Sequence, residues 1–242
     1  MFVFFQKVKE FIIDLIFPKQ CLLCGLENTY LCRQCFKQIK INSKFYCVFC
    51  QQNNEFGQVC QPCQADAKLK AVWVAADYND KIIQDLVHNL KYKYIEDIAD
   101  SLGKILIKFI ETNNIFTEFE LSSDNVIFVP VPLHKKRYLQ RGYNQSQLIA
   151  EIISKFYNIP VQVILQRIVN TTSQVNLKRK ARQENVKNAF QLIVDQPKDL
   201  NKKIILIDDV ITTGSTLNEC ARVLVANGYE QIFGLVIAHR QD

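Results

Sequence analysis

The sequence predicts an α/β protein, a mostly parallel sheet flanked by helices, preceded by a small cysteine-rich metal-binding segment. Three observations carry this expectation. From Ala71 onward, apolar runs of strand length alternate with helical apolar patterns, as βαβ units require. Eight of the nine cysteines fall into CxxC pairs ahead of that region. Residues Ile204 to Thr216 read IILIDDVITTGST, a buried-strand pattern that meets two carboxylates and then a small hydroxylated loop. A chain of 242 residues with 48% hydrophobic and 22% charged residues can bury a full core. Seven glycines and six prolines leave little material for long flexible linkers, and the net charge of +6 is modestly basic.

The first segment, residues 1–18, places Phe4, Phe5, Val8, Phe11, Ile12, Leu15 and Ile16 at helical spacing. An amphipathic helix docked on the protein's own core is expected, with peripheral membrane contact as the alternative. Lys7, Lys9, Glu10 and Asp14 interrupt the apolar run, and no small-residue cleavage site follows. Stable membrane insertion is therefore not expected, and a cytoplasmic location is.

Residues 19–68 hold the CxxC pairs Cys21/Cys24, Cys32/Cys35, Cys47/Cys50 and Cys60/Cys63. Each pair aims two thiolates at one point, and two pairs complete a closed tetrahedral Zn2+ site of the structural kind. Disulfides are the rival reading, but the absence of a secretory signal argues for reduced thiols. Sequential pairing closes the shorter loops and is favoured, with an interleaved cross-brace as the alternative. Cys220, in a predicted helix, reads as a small buried hydrophobe.

Residues 69–242 form the α/β part. Ala71–Tyr78 reads as a strand, Asp80–Leu90 and Tyr94–Ile110 as helices, and Val126–Val131 as a buried strand. Ser146–Phe156 reads as a helix, Val161–Leu165 as a strand, Ile204–Ile207 as the strand before the acids, Leu217–Asn227 as a helix and Ile232–Ala238 as a last strand. Ligands of such sheets sit beyond the carboxyl ends of the strands, where Asp208 and Asp209 fall. Carboxylates accept hydrogen bonds from sugar hydroxyls, and the run Thr212, Thr213, Gly214, Ser215, Thr216 at a helix start suits a phosphate. The loop is not a Walker A loop, because no Gly-Lys-Ser/Thr closes it, and it lacks the spaced glycines of a dinucleotide fingerprint.

Two further segments reach the same end of the sheet. After Val129–Pro132, a cationic loop holds His134, Lys135, Lys136, Arg137 and Arg141, with Gly142 as a permissive backbone point. Cations there suit a diphosphate. Arg167–Phe190 is polar, basic and largely aperiodic, as expected of a flexible active-site lid. Its Arg167, Lys178, Arg179, Lys180 and Arg182 are candidates to close over a polyphosphate.

Taken together, FPKQCLLC, LKYKYIEDIADSLG from Leu90, VPVPLHKKRYLQRGYNQ from Val129, the lid positions Gln174, Leu177, Arg182, Asn185 and Ala189-Phe190, and IILIDDVITTGST resemble the ComF family over nearly the whole chain. Asn188 is a departure, since glycine is expected there in many relatives. The resemblance implies a type I phosphoribosyltransferase fold behind a double zinc ribbon. It implies a phosphoribosyl diphosphate (PRPP) site, with Asp208 and Asp209 on the ribose hydroxyls as the catalytic candidates. It also implies Thr212–Thr216 around the 5′-phosphate and Leu133–Arg137 facing the diphosphate, with Mg2+ bridging it. The family association is natural competence, the uptake of single-stranded DNA. Three uses follow: a PRPP-binding protein of the competence machinery, an active phosphoribosyltransferase on an unidentified nucleophile, or a single-stranded-DNA-binding protein with a vestigial PRPP site. For the last, Phe45, Tyr46 and Phe49 are candidate stacking residues; packing inside a small domain is the plainer role for them.

Overall fold

The computed structural model describes residues 19–170, 184–193 and 199–240. The expected helix over 1–18 and the lid residues Lys178, Arg179, Lys180 and Arg182 lie outside the described residues. The chain divides into two compact units, Met1–Lys40 and Ile41–Asp242.

In the first unit a turn at Cys21–Cys24 leads to helix α1 (Arg33–Gln38), whose N-cap is Cys32. Of its described residues, those buried are Cys21, Leu31, Cys32, Cys35 and Ile39.

The second unit begins with the hairpin β1 (Phe45–Tyr46) and β2 (Asn53–Asn54) and the short helix α2 (Gln61–Gln64). Strand β3 (Ala71–Asp77) follows, then α3 (Lys81–Tyr92), capped by Asp80 on the Ile82 N–H at 2.9 Å. Next come α4 (Ile98–Thr112), α5 (Ile115–Glu118) and β4 (Val126–Pro130). The segment read as a cationic loop is instead a helix, α6 (Lys135–Arg141), ended by Gly142 at φ +87°. Its cap is the His134 side chain, which accepts from the Lys136 N–H at 3.2 Å. That cap had no sequence signal, because histidine is a poor predictor of a helix start. Helix α7 (Gln145–Tyr157) is capped by Asn144. The strand expected at Val161–Leu165 resolves into a single parallel bridge from Val161 to Phe128 and a later strand, β5 (Leu165–Arg167), antiparallel to β6 (Phe190–Leu192). Strand β7 (Lys203–Ile211), helix α8 (Ser215–Ala226) and strand β8 (Ile232–His239) complete the unit.

The main sheet is parallel throughout, in the order β3-β8-β7-β4. Its strands are apolar on both faces because both are covered. Helices α4 and α7 pack on each other and on one face. Gly103 permits that approach: a Cβ there would meet the Ile152 side chain at 2.5 Å. On the other face, Leu217, Cys220, Ala221 and Leu224 of α8 join Val72, Val74, Ile127, Val129, Ile204, Leu206 and Val236 in one apolar core. That core also takes in Cys47, Val48, Val59, Ala67 and Leu69 from the second cysteine segment. After β4 the chain passes through α6 into α7 on one face, and after β7 it leaves by α8 on the opposite face. The crevice between those exits, at the carboxyl ends of β4 and β7, is where an open α/β sheet accepts a ligand.

Candidate functional site

A cleft of about 220 Å³ opens at this switch point. Its floor is the acid pair. Strand β7 continues through both aspartates rather than ending before them, so the pleat sends adjacent side chains different ways. The Asp208 Oδ1 accepts from the Ser146 hydroxyl at 2.9 Å and from the Asp209 N–H at 2.9 Å. The Asp209 Oδ1 accepts from the Val210 N–H at 2.6 Å, and its Oδ2 lies 2.9 Å from the Lys91 ammonium.

Burial and the neighbouring Asp209 charge push the Asp208 carboxyl up to about 7, against the pull of Lys91 and the Ser146 hydrogen bond. For Lys91, burial disfavours the ammonium, but the Asp209 carboxylate more than offsets it and holds the pKa above its ordinary value. A buried pair of this kind is strongly destabilised when one partner is removed, by roughly 3–5 kcal/mol.

Arg137, Arg141 and Arg167 line the cleft beside these acids. Burial and the nearby Arg137 charge lower the Arg167 pKa. Arg167 is not part of a flexible loop: it belongs to β5, pairs with Phe190 across the ladder, and its guanidinium lies 5.2 Å from that ring. Leu133 lines the cleft as well. Lys135 and Lys136 do not line it and are exposed on α6, and His134 is turned to its capping task.

Beside the acids, Thr212, Thr213, Gly214, Ser215 and Thr216 surround a small concavity of about 30 Å³ at the start of α8, with Asp208 on its rim. Gly214 sits at the N-cap with φ +77°, a conformation that L side chains resist. The Thr213 and Ser215 hydroxyls bond each other at 2.6 Å. A helix N-terminus opening onto a small hydroxylated concavity suits an oxyanion of phosphate size.

Several residues of the site carried no sequence assignment. Lys91 had a legible signal: it follows Val87 by one helical turn, on the side of α3 that buries Ile83, Leu86, Val87 and Leu90, and a lysine in that register is costly unless paired. Ser146 and Gln145 open α7, and the Gln145 side chain accepts from Arg141. The Tyr143 hydroxyl donates to the Leu90 carbonyl, anchoring the chain beside Lys91. Asn144 donates to the Val131 carbonyl at 3.0 Å, tying the start of α7 to the end of β4. The far wall of the cleft holds Tyr78, His88, Tyr92 and Arg240. His88 and His239 read from sequence as structural or surface residues. His88 is exposed on the cleft rim, whereas His239 is buried against the Thr212 carbonyl. Asn188 adopts φ +56°, which explains why glycine suits the position and asparagine is tolerated.

The cysteines gather sequentially. Cys21, Cys24, Cys32 and Cys35 form one cluster and Cys47, Cys50, Cys60 and Cys63 the other, with all sulfurs of a cluster within 4.8 Å of one another. The Cys24–Cys32 and Cys50–Cys60 sulfurs are 3.7 and 3.4 Å apart. Four thiolates at the usual Zn–S distance of about 2.3 Å stand about 3.8 Å apart in a tetrahedron, so both clusters fit structural zinc. Phe45, Tyr46 and Phe49 are engaged within the second unit: Phe45 packs on Phe56 and Phe109, Tyr46 on His239, and Phe49 against Gly214.

Comparison with known proteins agrees with this architecture. Residues 12–64 match the family model of a double zinc ribbon domain, and residues 145–242 match that of a phosphoribosyl transferase domain. Competence protein F of Haemophilus influenzae is 34% identical over 92% of this chain and 98% of its own length. DNA utilization protein YhgH of Escherichia coli K12 is 29% identical over 87% of this chain and 92% of its own. Competence protein ComFC of Bacillus subtilis is 25% identical over 82% of this chain and 79% of its own. The hypoxanthine-guanine phosphoribosyl transferase of L. donovani superposes on 58% of this chain with a TM-score of 0.35 and 13% identity; the fold assignment rests on the sheet and the family models instead.

Proposed function

The chain belongs to the ComF family, and from that premise we propose that it binds PRPP in the cleft at the ends of β4 and β7 and serves the uptake of DNA, working in the cytoplasm. The observation that supports this reading is the meeting of three chemistries in one cleft. Asp208 and Asp209 offer acceptors for two vicinal ribose hydroxyls. Thr212–Thr216 offer N–H groups and hydroxyls for a 5′-phosphate. Arg137, Arg141 and Arg167 offer donors for a diphosphate. No described helix is long and apolar enough to cross a membrane. The family's Mg2+ would arrive with PRPP and neutralise the diphosphate. The acid pair beside the cationic wall is a suitable hard-oxygen setting for it.

The residues then have distinct tasks. Lys91 orients Asp209 through its ion pair, and Ser146 fixes the direction of Asp208. The three arginines draw electron density toward the leaving diphosphate if the C1–oxygen bond breaks, which is electrostatic stabilisation of a leaving group. The wall of Tyr78, His88, Tyr92 and Arg240 is where an acceptor would approach.

The test is thermal unfolding with and without PRPP and Mg2+. Ligand at a hundred times its Kd adds about 2.7 kcal/mol, so the sheet-bearing unit should melt several degrees higher. Asp208→Ala with Asp209→Ala should abolish the shift, and no shift in the wild type would sink the assignment. Diphosphate release in the presence of candidate acceptors measures turnover separately.

A further inference from the structure

The phosphate loop is held from behind by the second cysteine cluster at three separate points. First, the Tyr46 hydroxyl, next in sequence to Cys47, bonds His239 Nδ1 at 2.8 Å, and His239 Nε2 bonds the Thr212 carbonyl at 2.7 Å. The Tyr46 and His239 rings stack with centroids 5.7 Å apart. Second, Phe49, inside the Cys47/Cys50 knuckle, lies so close to Gly214 that a Cβ there would sit 2.7 Å from its ring. Third, Asn218, one turn into α8, accepts from the Lys68 N–H at 2.7 Å and donates to the Asp66 carbonyl at 3.1 Å. The Asp66 and Ala67 N–H groups in turn bond the Cys63 carbonyl. Each contact starts within a few residues of a cysteine of this cluster and ends on the loop or the helix it opens.

We propose that this cluster positions the phosphate loop: metal held by Cys47, Cys50, Cys60 and Cys63 fixes Tyr46, Phe49 and residues 66–68, and these fix Thr212–Thr216 in their phosphate-binding shape. The loop's own hydroxyl pair, Thr213 with Ser215, leaves its outer side dependent on neighbours. Its glycine can leave the left-handed conformation once Phe49 no longer confines it. The consequence is linkage. A loop that is in its competent shape for only a fraction of the time binds its ligand more weakly by that fraction. This inference rests on the phosphate reading above for its consequence, though not for the contacts themselves.

The experiment measures hydrogen exchange of the amides of residues 212–218 in ligand-free, full-length protein, alongside zinc content and PRPP affinity by calorimetry with Mg2+. Cys50→Ser with Cys60→Ser should lose about one zinc per chain. Exchange at 212–218 should quicken by about tenfold and PRPP affinity fall by a similar factor, with β7 and β8 amides still protected. Cys24→Ser with Cys32→Ser should also lose one zinc but leave 212–218 unchanged. Tyr46→Phe keeps every thiolate and should quicken exchange at 212–218 by roughly threefold. Unchanged exchange in the Cys50/Cys60 variant, or equal effects from the two cysteine variants, overturns the proposal. If the Cys50/Cys60 variant unfolds the sheet, Tyr46→Phe decides, and unchanged exchange there overturns it. Failure of the wild type to bind PRPP would remove the PRPP reading while leaving the exchange result to judge the brace.

Discussion

The two cysteine clusters have the same ligand types and the same CxxC knuckles, each with its sulfurs within 4.8 Å of one another, yet their surroundings differ. In the unit Met1–Lys40, the described residues buried around the metal site are Cys21, Cys32 and Cys35 plus Leu31 and Ile39. In the unit Ile41–Asp242, the cluster is built onto a sheet. The Val59 N–H bonds the Lys70 carbonyl, the Val72 N–H bonds the Gly57 carbonyl, and Trp73 donates to the Phe56 carbonyl at 3.1 Å. Val48, Val59 and Leu69 are buried in the same core as β7 and α8. The comparison teaches that a zinc knuckle's role is set by what its loops touch. Among the described residues of its unit, the first site supplies three of the five buried ones. The second packs on the sheet core and against the loop that opens α8.

The largest expected effect comes from removing the metal altogether. Small metal-centred folds are unfolded without their ion, so a strong chelator should release the amides of Leu22, Gly25 and Phe36 to near-unprotected exchange. These now bond the carbonyls of Tyr30, Cys21 and Cys32. The β7 and β8 amides should stay protected, because their main-chain ladder and the face covered by α4 and α7 do not depend on thiolates. Loss of the sheet together with the first unit, in one transition, would show that the sheet too depends on the metal.

A smaller effect isolates the contact between the second knuckle and the loop. Gly214→Ala forces a side chain onto φ +77° and against Phe49. We expect a loss of about 2–3 kcal/mol from backbone strain and overpacking together. Phe49→Leu should relieve the packing part alone. Denaturant unfolding of both singles and the double variant should therefore show a favourable coupling of about 1 kcal/mol, whereas additivity within about 0.3 kcal/mol would show that the knuckle does not press on the loop.

Much of this was legible in the sequence, for physical reasons. Strands buried on both faces leave unbroken apolar runs, so β3, β4, β7 and β8 stand out. CxxC pairs announce a metal, and DDVITTGS announces acids beside a small hydroxylated loop that opens a helix. What was not legible depends on tertiary partners. Helix α6 hides inside KKRYLQR because it buries no residue and therefore shows no periodicity. β5 is too short to distinguish from the run before it. Arg167 looked like the start of a lid because nothing local shows that Phe190 will pair with it. Lys91 was visible as a lysine in a core register, but its partner lies far along the chain. The His239 relay was invisible, since a histidine closing an apolar strand does not reveal what lies above and below it.

The smallest expected effect lies at the acid pair on the floor of the cleft, where neither metal supplies a ligand. Burial and Asp209 raise the folded-state pKa of Asp208 to about 7 from an ordinary 3.8. A group raised in this way contributes stability that is full below its unfolded value and is lost as pH rises through the folded one. Wild-type stability should therefore fall, relative to an uncharged isostere, between about pH 4 and pH 7. Asp208→Asn keeps an Oδ1 that can accept from Ser146 and from the Asp209 N–H but removes the buried charge. At pH 8 it should unfold at higher denaturant than wild type, by on the order of 2 kcal/mol, well within the ceiling set by 1.36 kcal/mol per pKa unit. Near pH 4 the two should be equal. The same variant should bind PRPP more weakly, because an acceptor-only carboxylate has become a donor as well. Its release of Leu22, Gly25 and Phe36 amides under chelator should match wild type, since that unit's fold rests on its own metal. An Asn variant less stable than wild type at pH 8 would mean that Lys91 stabilises the ionised pair more than burial penalises it, and the acids would then be a stabilising element rather than one retained for its ligand.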